Sequence, residues 1–136
     1  MRKLFEPPQP KVWVYECGDG WQVLAGKTDE DNDILSLQVA RAHELWFHVH
    51  SVPGSHVILR APEGTDDYQP TREKIEAAAA VAAYHSKARN AGTTPVDYCE
   101  ACHVSKERGA VPGLVMIRQS KTIKVRPMLP GRMERP

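Results

Sequence analysis

Residues 45–60, Leu-Trp-Phe-His-Val-His-Ser-Val-Pro-Gly-Ser-His-Val-Ile-Leu-Arg, constrain the fold more than any other part of the chain. Two apolar, strand-like arms flank a Val-Pro-Gly-Ser turn. Pro53 fixes its own φ and Gly54 tolerates conformations that other residues avoid, so the pair reverses the chain and lays the arms side by side. The segment holds three of the six histidines. His48 and His50 lie two apart on a strand and therefore share one face.

The neighbouring sequence extends this hairpin into a sheet. Residues 11–16 and 21–25 read as strands joined by Cys17-Gly18-Asp19-Gly20, in which Asp-Gly is a hairpin signal. Residues 34–40 suit a short helix with Asn32 or Asp33 as N-cap. Residues 71–89 read as a long helix: Thr71 caps it, residues 76–84 are Ala-rich, and Lys87 and Arg89 sit at the negative end of the dipole. A further strand lies within 96–106. Residues 114–118 and 122–126 read as a final hairpin, with Ile123 and Val125 inward and Lys124 and Arg126 outward. The order β-β-α-β-β-α-β-β-β predicts an α+β domain: a mixed, mostly antiparallel sheet with one long Ala-rich helix and one short helix packed on it. Residues 1–10 are expected as an extended Pro-rich lead-in, 11–127 as a single domain and 128–136 as a flexible basic tail.

A chain of 136 residues, 41% hydrophobic and 26% charged, is long enough for one core. No apolar run is long enough to span a bilayer, and the N-terminal residues lack the apolar stretch of a secretory signal. Three cysteines are too few and too odd a number for a disulfide framework. A cytoplasmic location is expected, with no membrane partner. The net charge of +1 conceals an asymmetry: residues 28–70 carry two bases against eight acids, and residues 91–136 carry eight bases against four acids. The basic half leaves room for an anionic partner despite the neutral total.

Three chemistries compete for the histidines and cysteines. Cys99-Glu100-Ala101-Cys102-His103 matches the C-x-x-C-H pattern of covalent haem attachment, a short pattern with little weight alone. His48, His50 and His56 form the beginnings of a zinc or iron site, although the carboxylate that cupin-like sheets place after such a pair is missing. Cys17, Cys99, Cys102 and His103 are a second conceivable zinc set. The third chemistry is nucleic-acid recognition. Trp13, Tyr15, Trp21, Trp46 and Phe47 are interleaved with Lys27, Asn32, His48, Ser55, His56 and Arg60 on adjacent strands. Rings of this kind stack on unpaired bases, bases hold phosphates, and the turn at 53–55 presents backbone N–H groups. No nucleophile elbow, Walker loop, dinucleotide fingerprint or H-E-x-x-H is present, so no catalytic residue is assigned.

The order of these elements resembles a known family. Gly26-Lys27, Asn32-Asp33-Ile34-Leu35-Ser36, Leu45-Trp46-Phe47-His48-Val49 and Pro53-Gly54-Ser55-His56-Val57 are similar to successive motifs of the NFACT-R domain. So are the Ala-rich stretch at 77–88, Val96-Asp97-Tyr98, Val104-Ser105-Lys106, Gly109-Ala110-Val111-Pro112-Gly113 and Lys121-Thr122-Ile123. The resemblance runs over residues 12–127. It implies RNA binding. In ribosome-quality-control factors the domain is the C-terminal part of a longer protein that binds the obstructed large subunit with tRNA and supports tailing of the nascent chain. The other domains of those factors are not found in these residues, so tailing is not implied. Thr28-Asp29-Glu30-Asp31 stands where the family is usually polar and often basic.

The expectation is a non-catalytic RNA-binding module for tRNA or rRNA, with the ribosome as a further partner and no cofactor, metal or DNA. The resemblance gives Lys27, Asn32, Trp46, His48, Ser55 and His56 as the binding surface. Charge alone adds Lys106, Arg108, Lys121, Lys124 and Arg126. The alternatives are a metal site at His48, His50 and His56, or a protein-interaction module using the acidic loop at 28–33.

Overall fold

The computed structural model describes residues 9–131. Most of the expected lead-in and the last five residues of the expected tail lie outside the described residues. Strand β1 (Val12–Glu16) pairs antiparallel with β2 (Gln22–Gly26). Their turn places Gly18, Asp19 and Gly20 at positive φ, which glycine adopts freely and aspartate more readily than most residues. Helix α1 (Asp29–Ile34) runs into a π-helical segment, Leu35–Val39. Its N-cap is Thr28, four residues before the expected cap. Thr28 Oγ1 accepts from the Asp31 amide and donates to Asp31 Oδ2 at 2.8 Å, closing a reciprocal capping arrangement.

Strands β3 (Leu45–Val49) and β4 (Val57–Arg60) are the expected arms. Helix α2 (Arg72–Tyr84) follows, then β5 (Thr94–Glu100), a 3-10 turn (Ala101–His103), β6 (Val104–Ser105), β7 (Met116–Ile117) and β8 (Lys121–Val125). Six strands form one sheet in the order β1-β2-β4-β3-β5-β8, and β6 and β7 form a separate ribbon. All of these pairings are antiparallel, so the expected mixed sheet is corrected to a purely antiparallel one.

Alternation along the strands divides the core in two. Val23, Ala25, Phe47, Val57, Leu59, Val96 and Ile123 face α2, whose Ala78, Ala79, Val81, Ala82 and Ala83 are buried against them. Small side chains let the helix backbone approach the sheet closely, and Ala carries the highest helix propensity. On the opposite face, Leu24, Trp46, Ile58 and Cys99 pack with Leu35 and with Val104 of the ribbon. Each face thus has its own helix.

The expected long Ala-rich helix with a short partner is not found. Helix α2 has 13 residues, and α1 with its π-helical segment is of similar length, six residues followed by five. The run to residue 89 fails because His85 leaves the helix. Its carbonyl accepts from the Ser55 amide at 2.9 Å, and its ring stacks on Trp13 with centroids 4.0 Å apart. Ser86 Oγ and Arg89 Nε then satisfy the Ala83 and Tyr84 carbonyls.

The expected final hairpin also does not form. β7 pairs with β6, whereas β8 pairs with β5. The two arms serve different cores: Ile117 packs with the α1-side cluster, and Ile123 with the α2-side cluster. Of the expected tail, Met128 donates its amide to the Ala80 carbonyl and Leu129 packs against the α2-side core.

At the end of β2 the chain passes close to α1. A Cβ added to Gly26 would lie 2.1 Å from Asn32 Oδ1 and 3.1 Å from Asn32 Cα. Gly26→Ala is therefore expected to displace Asn32 and orphan the His56 amide that it accepts, lowering stability by about 2–4 kcal/mol. Urea unfolding of the variant against the parent measures this.

Candidate nucleic-acid interface

The motif residues of the hairpin face inward. The Trp46 indole Nε1 donates to Ser36 Oγ at 2.8 Å, and Ser36 Oγ lies 2.7 Å from His56 Nδ1. His56 Nε2 lies 3.2 Å from the Gly113 carbonyl. An indole N–H only donates and a carbonyl only accepts, so the direction of the relay is fixed: Trp46 to Ser36 to His56 to Gly113. Nε2 carries the proton and Nδ1 must stay unprotonated. Burial, with the neighbouring His48 second, pushes His56 down to about 4. The His56 amide donates to Asn32 Oδ1 at 3.0 Å, and Ser55 Oγ donates to the Gly26 carbonyl at 2.6 Å.

A second bracket holds the loop at 109–113. Asp33 Oδ1 accepts from the Gly113 amide, and Asp33 Oδ2 pairs with Lys106 Nζ at 3.0 Å. Lys106 Nζ also donates to the carbonyls of Val111 and Leu114. Lys106 is thus engaged inside the fold, holding this loop against α1.

Of the residues expected at the surface, Asn32, Trp46, Ser55 and His56 are buried and His48 is half-buried. They hold the motif together. The proposed histidine metal set is not assembled either: both His56 ring nitrogens are committed, and His50 Nδ1 lies 2.8 Å from Asp97 Oδ2. Lys27, Arg108, Lys121, Lys124 and Arg126 are exposed. Lys121 and Lys124 lie on β8, at the end of the sheet away from β1.

Lys27 stands at the rim of a cavity of about 350 Å³ lined by Trp13, Gly54, His85, Lys87 and Arg89. Its Nζ lies 5.5 Å from the Trp13 ring centroid. The Trp13 ring is stacked nearly parallel to His85, whose Nε2 bonds the Tyr15 hydroxyl at 2.7 Å. Burial, and secondarily the Arg89 charge, lower His85 to about 4, so this ring is neutral at pH 7. Pro53 and Gly54 also line the cavity and dock on the end of α2: Lys87 donates its amide to the Pro53 carbonyl at 2.9 Å. The Ser55 amide, expected to be free for an anion, is spent on His85. Lys87 and Arg89, expected as charges at the helix end, line this cavity instead because the helix stops at Tyr84.

The acidic loop beside Lys27 is partly engaged from within. Asp31 accepts from the Lys11 amide at 3.0 Å, which, with the Thr28 hydroxyl, holds its carboxyl below the usual carboxylate range. Asp33 is paired with Lys106. Asp29 and Glu30 remain exposed.

Three histidines are depressed: His56 and His85 to about 4, and His48, also by burial, in the same direction. The unfolded chain then binds more protons than the folded one between about 4 and 6.5, so this stabilisation is complete above pH 6.5 and is lost as pH falls toward 4. His56 alone contributes roughly 3 kcal/mol over that span. Urea midpoints measured at pH 7 and pH 4.5 are expected to fall with acidification. The pH difference is expected to shrink in His56→Gln, which is also less stable at pH 7.

Comparison with known proteins accounts for this arrangement. Residues 11–119 match the family described as NFACT protein RNA binding domain. A Bacillus subtilis (strain 168) protein named Rqc2 homolog RqcH is 37% identical over 126 residues, 93% of this chain and 21% of that protein. Its Streptococcus suis (strain 05ZYH33) namesake is 42% identical over 105 residues, 77% of this chain and 18% of that protein. The chain therefore spans about a fifth of the length of these relatives. A solved structure, the C-terminal part of the fibronectin/fibrinogen-binding protein from Streptococcus suis (FBPS), superposes with a TM-score of 0.77 at 37% identity, covering 90% of this chain and 47% of that one. With four-fifths of its length inside the family match and relatives of this similarity, the chain belongs to the NFACT-R family of RNA-binding domains.

Proposed function

We propose that this chain is a non-catalytic RNA-binding module of ribosome-associated quality control, acting in the cytoplasm on tRNA or rRNA at the ribosome. The observation that carries the reading is the cavity at Lys27. A cation, an aromatic-imidazole stack and two further basic side chains converge on a space of about 350 Å³, large enough for an unpaired nucleotide. Cations hold phosphates in any sequence context, and aromatic faces accept any base. The family description and the RqcH relatives support RNA and the ribosome as the partners. Arg108, the β8 residues Lys121 and Lys124, and Arg126 just beyond β8 offer a second basic region at the other edge of the sheet. Asn32, Trp46, His48, Ser55 and His56 serve it indirectly by holding the 53–55 wall and the end of β2 in place.

Filter binding of tRNA and rRNA fragments across a salt series tests the reading. Affinity is expected to fall steeply with salt. Lys27→Ala with Lys87→Ala is expected to weaken all RNAs alike and to reduce the slope of log affinity on log salt by about 1–2. Lack of association at low salt with either RNA class would refute it. Association whose salt slope is untouched by the double variant would move the contact to the β8 edge.

A further inference from the structure

The sharpest unassigned cluster of ligand-type side chains lies away from the groove, where β5 ends. Glu100 is its last residue, and Cys102 and His103 follow in the 3-10 turn. One ligand-type atom of each lies within 4.8 Å of the others. The turn that carries them is fixed by the fold itself. Ala101 donates its amide to the Glu44 carbonyl at 2.8 Å, Cys102 to Ala42 at 3.0 Å, and the Arg118 amide donates to the His103 carbonyl at 3.1 Å. The main chain that carries the donors is therefore set before any ion arrives.

Two observations separate this cluster from an accidental grouping. His103 Nδ1 is out of solvent and has no hydrogen-bond partner among the described residues, unlike the ring nitrogens of His56, which are both engaged. The Cys102 thiol is exposed, whereas Cys99, its partner in the C-x-x-C-H pattern, is buried in the α1-side core. Cys17 packs with the opposite, α2-side core, so it does not join the other cysteines in one site. The pattern that suggested haem therefore resolves into a different set, at spacing i, i+2, i+3.

We propose that Glu100, Cys102 and His103 form a binding site for a borderline divalent cation, zinc(II) first. Thiolate, imidazole and carboxylate together are a zinc donor set; magnesium and calcium demand oxygen ligands. The thiol and carboxyl donors bind as anions, so they balance the charge of the ion. Three protein donors leave the fourth tetrahedral position open to water or to a donor from a partner.

Cobalt(II) titration of the 136-residue chain, prepared free of metal under reducing conditions, tests this. A thiolate-to-cobalt charge-transfer band is expected to saturate at one equivalent and to be displaced by zinc(II). Cys102→Ser is expected to abolish the band. Glu100→Gln and His103→Ala are expected to weaken binding at least about tenfold, and Cys17→Ser and Cys99→Ser to leave it unchanged. Zinc(II) is further expected to slow alkylation of Cys102, read by mass spectrometry on the unaltered chain. The proposal is overturned if the parent chain shows no saturable cobalt band and no protection of Cys102. It is equally overturned if the band survives Cys102→Ser.

Discussion

One relay of hydrogen bonds, from Trp46 through Ser36 and His56 to Gly113, holds together four segments that lie far apart in the chain. It runs through the core of the sheet's α1 side, where a polar atom without a partner is costly. Each member is therefore required to keep its orientation, and the elements carrying them are fixed relative to one another: the π-helical segment, β3, the entry to β4 and the loop at 109–113. Asn32 and Asp33 add the adjoining links, one to the His56 amide and one to Gly113 and Lys106. The groove beside Lys27 inherits its shape from this lattice, because Pro53, Gly54 and Ser55, which line it, lead directly into His56 of the relay.

The parts of the fold governed by nearest neighbours were legible from the chain. Apolar patterning and turn residues placed β1 to β4 and put Ile123 inward, and Thr71 capped α2 where a threonine before an Ala-rich run belongs. Features decided by distant partners were not. Helix α2 stops at Tyr84 because Trp13, some seventy residues upstream, stacks on His85, and no local rule encodes that meeting. β7 and β8 separate because their apolar residues belong to different cores. The candidate site shows the same division. Residues that carry a family pattern include those that build a scaffold as well as those that meet a ligand, and pattern alone does not distinguish them. Asn32, Ser55 and His56 fall in the first group by burial; Lys27 stands out in the open.

Charge behaves in a similar way. A tally of acids against bases set Asp29, Glu30 and Asp31 against Lys27, and counted Lys106 among the free cations. Within the fold, Asp31 is turned into the α1 cap and Asp33 is matched to Lys106. Asp29 and Asp31 keep their negative charge beside Lys27, whereas the pairing of Lys106 with Asp33 leaves the 106–113 loop less positive than its sequence suggests. Formal charge reports on a surface only after the internal pairs are removed.

The position of β8 has a consequence of its own. As the last strand of an open sheet, it has no strand paired on its outer side among the described residues, the arrangement by which sheets of separate molecules join. Lys121 and Lys124 stand exposed on that border, and like charge on an edge strand opposes the pairing of two such edges. The same two side chains thus guard a strand edge besides having a proposed part in holding a polyanion. An RNA laid along this border would neutralise the charges that guard it, so crowding of many copies on one nucleic acid would bring strand edges within reach of each other.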